Sequence, residues 1–245
     1  MGDGDQSHAL ALMDKKVSAA LKRADWPGVE ACLDELRLAV LGSAPSRSDG
    51  NWNAPAAPLS LAATEPEKRL AWAVAEGLGQ DRHLAQVPTA TGLLGERQAR
   101  SLDLAGLEPG GPAFYAFKVH SGGEDIIKGL RDLLVSTALY RAFLESPRLF
   151  GYSTERSPLL LEAPVVRWEL VAPKDLLNPR KSEMRWGERD VQGMQAVLKK
   201  LGVASFELAR LQAEGEALRA GIAKESFSAP RARQWFEQRV RVAVA

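Results

Sequence analysis

Two polar residues stand inside apolar, strand-like stretches of this sequence, where they could do chemistry. Asp103 lies between two leucines, and Lys118 lies near the end of the stretch Ala113–His120. The Gly- and Pro-rich turn at 108–112 separates the two stretches and predicts an antiparallel hairpin. Side chains alternate along a strand, so Lys118 shares a face with Ala116 and can meet Asp103 across the sheet. An acid and a lysine so placed form either a charged reaction centre or a structural ion pair.

The other reactive groups occur in patterns that do not support a site. The sequence contains neither of the glycine-rich loop motifs that cradle nucleotide phosphates. Its three histidines, His8, His83 and His120, lack the spacing of zinc ligands, and Cys32 falls on an apolar helical face. Residues 121–123 are small but precede two acidic residues, which favours helix capping over phosphate binding.

The N-terminal part is predicted to be a helical hairpin on a flexible linker. Apolar residues recur at helical spacing from His8 to Leu41, within the predicted hairpin of residues 1–41, and Asp25 and Pro27 mark a break with an N-cap and a first-turn proline. Residues 42–60 are rich in Ser, Pro, Ala, Gly and Asn and lack periodicity, which predicts a flexible linker. We therefore expect a separable hairpin that could dock a protein partner, followed by an α/β domain over residues 61–245.

Within residues 61–245, helical and strand-like patterns follow one another in an order typical of an α/β protein with a mixed sheet flanked by helices. The helices are predicted at 65–79, 124–145, 188–201 and 209–223. The strands are predicted at 92–95, 97–107, 113–120, 159–171, 203–208 and 240–245, with a polar loop containing His83 and Pro88 before the first of them.

From Arg100 to Tyr140, this order and the positions of Asp103 and Lys118 resemble the PD-(D/E)XK, or restriction-endonuclease-like, nuclease fold. In that family an acid on one strand and an acid-x-Lys motif on the next hold a divalent metal, and a core helix packs on the sheet. The resemblance spans about residues 65–171 and rests on element order more than on residue identity. It implies a restriction-endonuclease-like sheet with Asp103 and Lys118 as catalytic residues.

The sequence departs from the family motif at Ala116, where the family has Asp or Glu. Magnesium and manganese need hard oxygen ligands, so a metal site would require an acid from another element. Our expected metal ligands are Asp103 and Glu67. The further donors considered are Glu76, Glu124 and Asp125.

The resemblance thus implies a nuclease-related, DNA-associated protein whose metal-dependent phosphodiesterase site is degenerate. If active, it would be a magnesium- or manganese-dependent deoxyribonuclease. The alternative is a non-catalytic interaction or scaffold protein that uses the same fold.

The formal charge of +1 gives no sign of the basic excess that non-specific nucleic-acid binding usually requires. Two basic and aromatic stretches could still contact nucleic acid, residues 178–186 and residues 231–241. We expect Arg231, Arg233 and Arg239 to form the basic patch of the second stretch. A single cysteine, no export signal and no apolar run of 18 residues predict a cytoplasmic protein without a membrane span.

Overall fold

The first two helices form where apolar residues recur every three to four positions. In the computed structural model, α1 spans Ala9–Lys22 and α2 spans Trp26–Leu41. The carboxylate of Asp25 accepts a hydrogen bond from the Gly28 N–H at 3.0 Å, and Pro27 lies in the first turn of α2. These are the capping signals expected from the sequence, and the two helices pack against each other.

The structure describes residues 9–42, 52, 65–89, 101–119, 123–146, 163–173, 188–224 and 227–243. The predicted strand at 92–95, the basic stretch 178–186 and His120 lie outside these residues. Most of the predicted linker also lies outside them.

Six strands form one mixed sheet in the order β1-β2-β3-β4-β5-β6. The strands span His83–Pro88, Ser101–Glu108, Gly111–Phe117, Arg167–Pro173, Ser205–Leu211 and Val240–Ala243. The first three strands are antiparallel to one another, β3, β4 and β5 are parallel, and β6 is antiparallel to β5.

Helices supply the long connections and cover the sheet. They are α3 (Pro66–Leu78), α4 (Gly123–Glu145), α5 (Glu188–Leu201), α6 (Gly215–Ala223) and α7 (Ala229–Glu237). One apolar layer joins the sheet to α1, α2, α4 and α5, and the other joins it to α3, α6 and α7. The α/β class and the mixed sheet expected from the sequence are therefore confirmed. Among the described helices, none is both long and apolar enough to cross a bilayer.

The N-terminal hairpin is part of the first apolar layer. Val17 and Leu36 are fully buried in the same cluster as Leu133 on α4 and Val197 on α5. Because these residues share one buried cluster, the hairpin belongs to the same core as the sheet. Burial of apolar surface of this kind stabilises a protein by about 25 cal/mol per Å².

Trp52 is the one described residue between Gly42 and Glu65, and it lies within the predicted flexible linker of residues 42–60. Its side chain is fully buried and stacks on Phe114 at 5.7 Å between ring centroids, with edge contacts to Tyr140 and Phe143. Its backbone N–H donates to the Pro88 carbonyl at 2.7 Å. At this residue the expectation of a flexible linker does not hold, because the side chain of Trp52 itself is anchored in the core.

The first strand was also predicted incorrectly. β1 occupies His83–Pro88, which the sequence analysis assigned to a polar loop. Its middle residues Ala85, Gln86 and Val87 are buried, and Pro88 ends the strand at an edge of the sheet, where a missing N–H is tolerated.

Candidate functional site

The candidate site lies where β2 and β3 separate. Their ladder runs from Glu108–Gly111 to Leu104–Tyr115 and does not continue to Asp103. The β1–β2 ladder is also interrupted here, because Ala85 pairs with Leu104 and Val87 with Leu102, with no pair between them. The intervening residue of β1, Gln86, has a left-handed backbone with φ of 53°. The sheet therefore opens around Asp103.

Asp103 bridges the strands at this opening. Its Oδ2 accepts a hydrogen bond from the Phe117 N–H at 2.9 Å, replacing the missing ladder partner. Its Oδ1 accepts a long hydrogen bond from Gln86 Nε2 at 3.5 Å, and Ser101 Oγ donates to Gln86 Oε1 at 2.9 Å. Asp103 is thus held from both neighbouring strands.

Lys118 follows the last residue of β3 and points to the face covered by α4. Its N–H donates to the Val171 carbonyl at 2.8 Å, which continues the pairing with β4. Its side chain is only 3% exposed, and its Nζ lies 3.4 Å from Asp132 Oδ2. The lysine is therefore a buried ammonium paired with an acid of α4.

Glu67 reaches the same region from the first turn of α3. Its Oε1 accepts a long hydrogen bond from the Val119 N–H at 3.5 Å. The structure thus brings the three predicted residues Glu67, Asp103 and Lys118 into one region from three different elements. Glu76, another donor considered from the sequence, is exposed on α3. The side chains of Glu124 and Asp125 lie outside what the structure describes.

The charges of this cluster shift the pKa values of its members. Burial raises the pKa of Asp103 to about 6; Lys118 and the Phe117 N–H lower it, and the charges of Asp132 and Glu67 raise it further. Burial lowers the pKa of Lys118, but the carboxylates of Asp103, Asp132 and Glu67 outweigh that effect and hold it above its usual value. Lys118 is therefore charged at neutral pH, while the carboxyl of Asp103 titrates at about pH 6.

The raised pKa of Asp103 predicts a pH-dependent stability. The carboxyl is protonated in the folded protein up to about pH 6 but only up to about pH 3.8 in the unfolded chain. Its contribution is fully present below pH 3.8 and is lost as pH rises through 6, by at most about 3 kcal/mol at 1.36 kcal/mol per pH unit. We expect the free energy of unfolding of the wild type to fall between pH 4 and 7 relative to Asp103→Asn, as measured by urea titration. If the free energy of unfolding changed with pH in the same way in both proteins, the raised pKa of Asp103 would be contradicted.

The described side chains of this cluster do not complete a divalent-metal site. Among the described residues, no three Asp, Glu, His or Cys side chains lie close enough together to hold a metal ion. One oxygen of Asp103 is engaged by a backbone N–H. Extending the β2–β3 register by one residue beyond the Leu104–Tyr115 pair would place Ala116 opposite Asp103, and alanine offers only a methyl group. Magnesium needs several hard oxygens in near-octahedral geometry. The predicted ligands Asp103 and Glu67 therefore lie in one region without forming a metal shell.

Asp132 is the residue of this cluster that the sequence analysis missed. It belongs to α4, where it is three residues after Gly129, so the two lie on one face of the helix. A glycine and an acid on one face of a helix otherwise rich in buried leucines were the available signal. The strand residue that Gly129 and Asp132 face depends on how the crossover helix α4 lies on the sheet. Local sequence patterns do not determine that position.

The three predicted nucleic-acid-binding arginines are not one exposed patch. Arg231 is exposed on α7 with its guanidinium 5.1 Å from the ring centre of Trp235, and Arg233 is exposed and paired with Glu237 at 2.8 Å. Arg239, by contrast, is buried and binds the fully buried Glu169 with two guanidinium nitrogens. Its guanidinium is thus not available to a phosphate.

Glu169 is the centre of a second polar cluster on the face covered by α3, α6 and α7. Arg167 and Arg241 each approach its Oε2, at 3.8 and 3.7 Å. Arg167 also binds Glu108 and donates to the Tyr115 hydroxyl at 2.9 Å. This cluster ties the C-terminal strand to the middle of the sheet.

Comparison of the chain with models of protein families, with curated proteins and with solved structures finds no match. The interpretation of the site therefore rests on its own geometry and on the order of the elements.

Proposed function

We propose that this chain is a nuclease-related, DNA-associated protein that keeps the acid-and-lysine half of a PD-(D/E)XK phosphodiesterase site and lacks its second acid. The observation that carries the proposal is the convergence of Asp103, Lys118 and Glu67 where β2 and β3 separate. With Ala116 in the acid position, the described residues supply no complete metal shell, and we expect the native protein not to cut DNA.

The topology supports this proposal. A helix, three antiparallel strands, a crossover helix and a parallel strand follow one another as α3-β1-β2-β3-α4-β4. This is the element order on which the resemblance rests. Asp103 lies on the second strand of that order and Lys118 directly follows the third, and the resemblance expects the acid and the lysine at these places.

Metal binding tests the degenerate site. We expect wild-type protein titrated calorimetrically with manganese to show no saturable binding up to about 1 mM. Any binding free energy is then weaker than about 4 kcal/mol, the value that corresponds to a dissociation constant of 1 mM. Ala116→Glu adds a carboxylate opposite Asp103 and should bring manganese binding into the measurable range. Ala116→Gln is the matched control, since it adds nearly the same volume without the charge. Circular dichroism checks that each variant is folded.

A cleavage assay on single- and double-stranded DNA accompanies the titration. The degenerate site predicts no metal-dependent cleavage by the wild type. Cleavage by the wild type that Asp103→Asn abolishes would mean that the site is complete. The absence of manganese binding in wild type and Ala116→Glu alike would remove the phosphodiesterase interpretation.

DNA association is tested through Arg231 and Arg233, the exposed members of the predicted basic patch. Each arginine–phosphate contact contributes about 0.9 to the slope of log K against log salt. Replacing both by Ala should therefore lower the slope by about 2, measured by fluorescence anisotropy on a labelled duplex. Lys15→Ala with Lys128→Ala removes the same charge from the helices of the opposite layer and should leave the slope unchanged. Equal slopes in all three proteins would exclude these arginines from the interface.

The interaction-protein alternative keeps one structural observation in its favour. Among the described residues, Leu12 on α1 and Leu38 on α2 are large apolar side chains that are 51% and 60% exposed. If the wild type binds no DNA at low salt, this outer face of the hairpin becomes the leading candidate surface for a protein partner.

A further inference from the structure

The helix α4 is shaped to receive the Lys118 side chain. A Cβ placed on Gly129 would lie 3.1 Å from Lys118 Cε and 2.5 Å from Leu170 Cδ1. Glycine inside a helix costs about 1 kcal/mol relative to alanine, so a mid-helix glycine needs a reason. Here the reason is space, because a Leu170 methyl group and the lysine stem both lie against the helix backbone at this position.

Asp132 lies one turn further along α4, at the end of that path. Its Oδ1 accepts hydrogen bonds from Arg131 Nη2 at 2.7 Å and Nε at 3.1 Å. Its Oδ2 accepts one from Lys118 Nζ at 3.4 Å. The arginine fixes the orientation of the carboxylate, and the second oxygen is directed at the lysine.

The other two acids of the cluster, Asp103 and Glu67, accept hydrogen bonds from the backbone and not from Lys118. Asp103 accepts the Phe117 N–H, and Glu67 accepts the Val119 N–H. Both act on Lys118 through their charge, but among the described residues Asp132 is the carboxylate that accepts a hydrogen bond from its ammonium. A buried ammonium without such a partner would carry a large desolvation cost.

We infer that Asp132 takes the electrostatic place of the acid missing at position 116 and is the positioning residue that holds Lys118. This inference rests on the proposed function in one respect: it takes Ala116 to stand where the family's motif has its second acid. Ala116 and Lys118 are two residues apart on one face of β3, and α4 packs on that face, so the partner comes from the helix in place of the strand.

The test measures Lys118 directly in the full-length protein. Acetic anhydride labelling, mapped by mass spectrometry, reports how readily the Lys118 amine reacts, and a charged, hydrogen-bonded amine reacts slowly. The ammonium signal in ¹H–¹⁵N spectra reports the hydrogen bonds of that amine. Asp132→Asn should raise Lys118 labelling roughly tenfold, as expected for the loss of one hydrogen bond between charged groups, and should remove the ammonium signal. Glu145→Gln, the same change about 20 Å away along α4, should alter neither.

A charge transplant separates positioning from a general effect on the fold. Ala116→Asp in the Asp132→Asn background returns an acid to the family's position and should restore both the low labelling and the ammonium signal. Unchanged labelling in a folded Asp132→Asn variant overturns the inference, and so does a double variant that restores neither signal. If Asp132→Asn does not fold, recovery of the melting temperature in the double variant supports the inference, and equal loss overturns it.

Failure of the inference and failure of the proposed function give different results. Metal-dependent cleavage by the wild type contradicts the proposed function and leaves the labelling of Lys118 unaffected. Unchanged labelling in Asp132→Asn contradicts the inference and leaves the manganese titration unaffected.

Discussion

Arg239→Met should lower the free energy of unfolding by about 3 kcal/mol, because it removes the main partner of a fully buried carboxylate. Glu169 is 0% exposed, and breaking one side of a buried ion pair leaves a charge without compensation. Arg167 and Arg241 remain within 4 Å of Glu169 but make longer contacts, so they compensate only in part. Urea titration followed by circular dichroism measures the change.

Two further variants give that prediction its controls. Arg233→Met breaks an exposed pair with Glu237 and should cost less than about 0.5 kcal/mol. The double variant Arg239→Met/Glu169→Met removes both charges and should recover much of the loss, as replacement of buried pairs by apolar side chains often does. A single Arg239 variant as stable as the Arg233 variant would show that the buried pair contributes little.

Trp52→Ala should destabilise the protein by about 3–5 kcal/mol, the range for truncating a large aromatic side chain in a core. The ring is fully buried among Phe114, Tyr140 and Phe143, so its removal leaves a cavity between the sheet and α4. Thermal and urea unfolding of the variant measure the loss.

Trp52→Phe keeps an aromatic ring in the same place, so its loss of stability should be less than half of the loss caused by Trp52→Ala. Trp235→Ala, which removes a half-buried indole from α7, serves as the second control and should cost less than Trp52→Ala. Equal stability of wild type and Trp52→Ala would mean that the residues around Trp52 are an unanchored linker after all.

The sequence predicted the long helices and the middle of the sheet because their signals are local. The apolar stripe of α4 and the capping pair Asp25 and Pro27 each lie within a few turns, so periodicity and capping were sufficient. β1 was missed because Gln86 and His83 interrupt a short apolar run, although Gln86 is buried in the structure.

The misassigned or missed residues share a different cause. Trp52 belongs to the core although its neighbours in sequence have the composition of a linker, and its ring contacts are made with residues more than 60 positions away. Arg239 was placed in a surface patch because its partner Glu169 is 70 residues distant. Asp132 faces Lys118 only because the crossover helix lies over the end of β3. Local patterns carry no information about such pairings.

The contact between Gly129 and the lysine stem has a consequence for how this protein can change during evolution. A side chain at position 129 competes for one volume with the side chains of Leu170 and Lys118, so substitutions at these three positions are coupled. Alanine at 129 requires the Leu170 side chain to move as well as the lysine stem, because a Cβ there would lie 2.5 Å from Leu170 Cδ1 and 3.1 Å from Lys118 Cε. In homologous sequences, we therefore expect the residues at positions 118, 129 and 170 to change together.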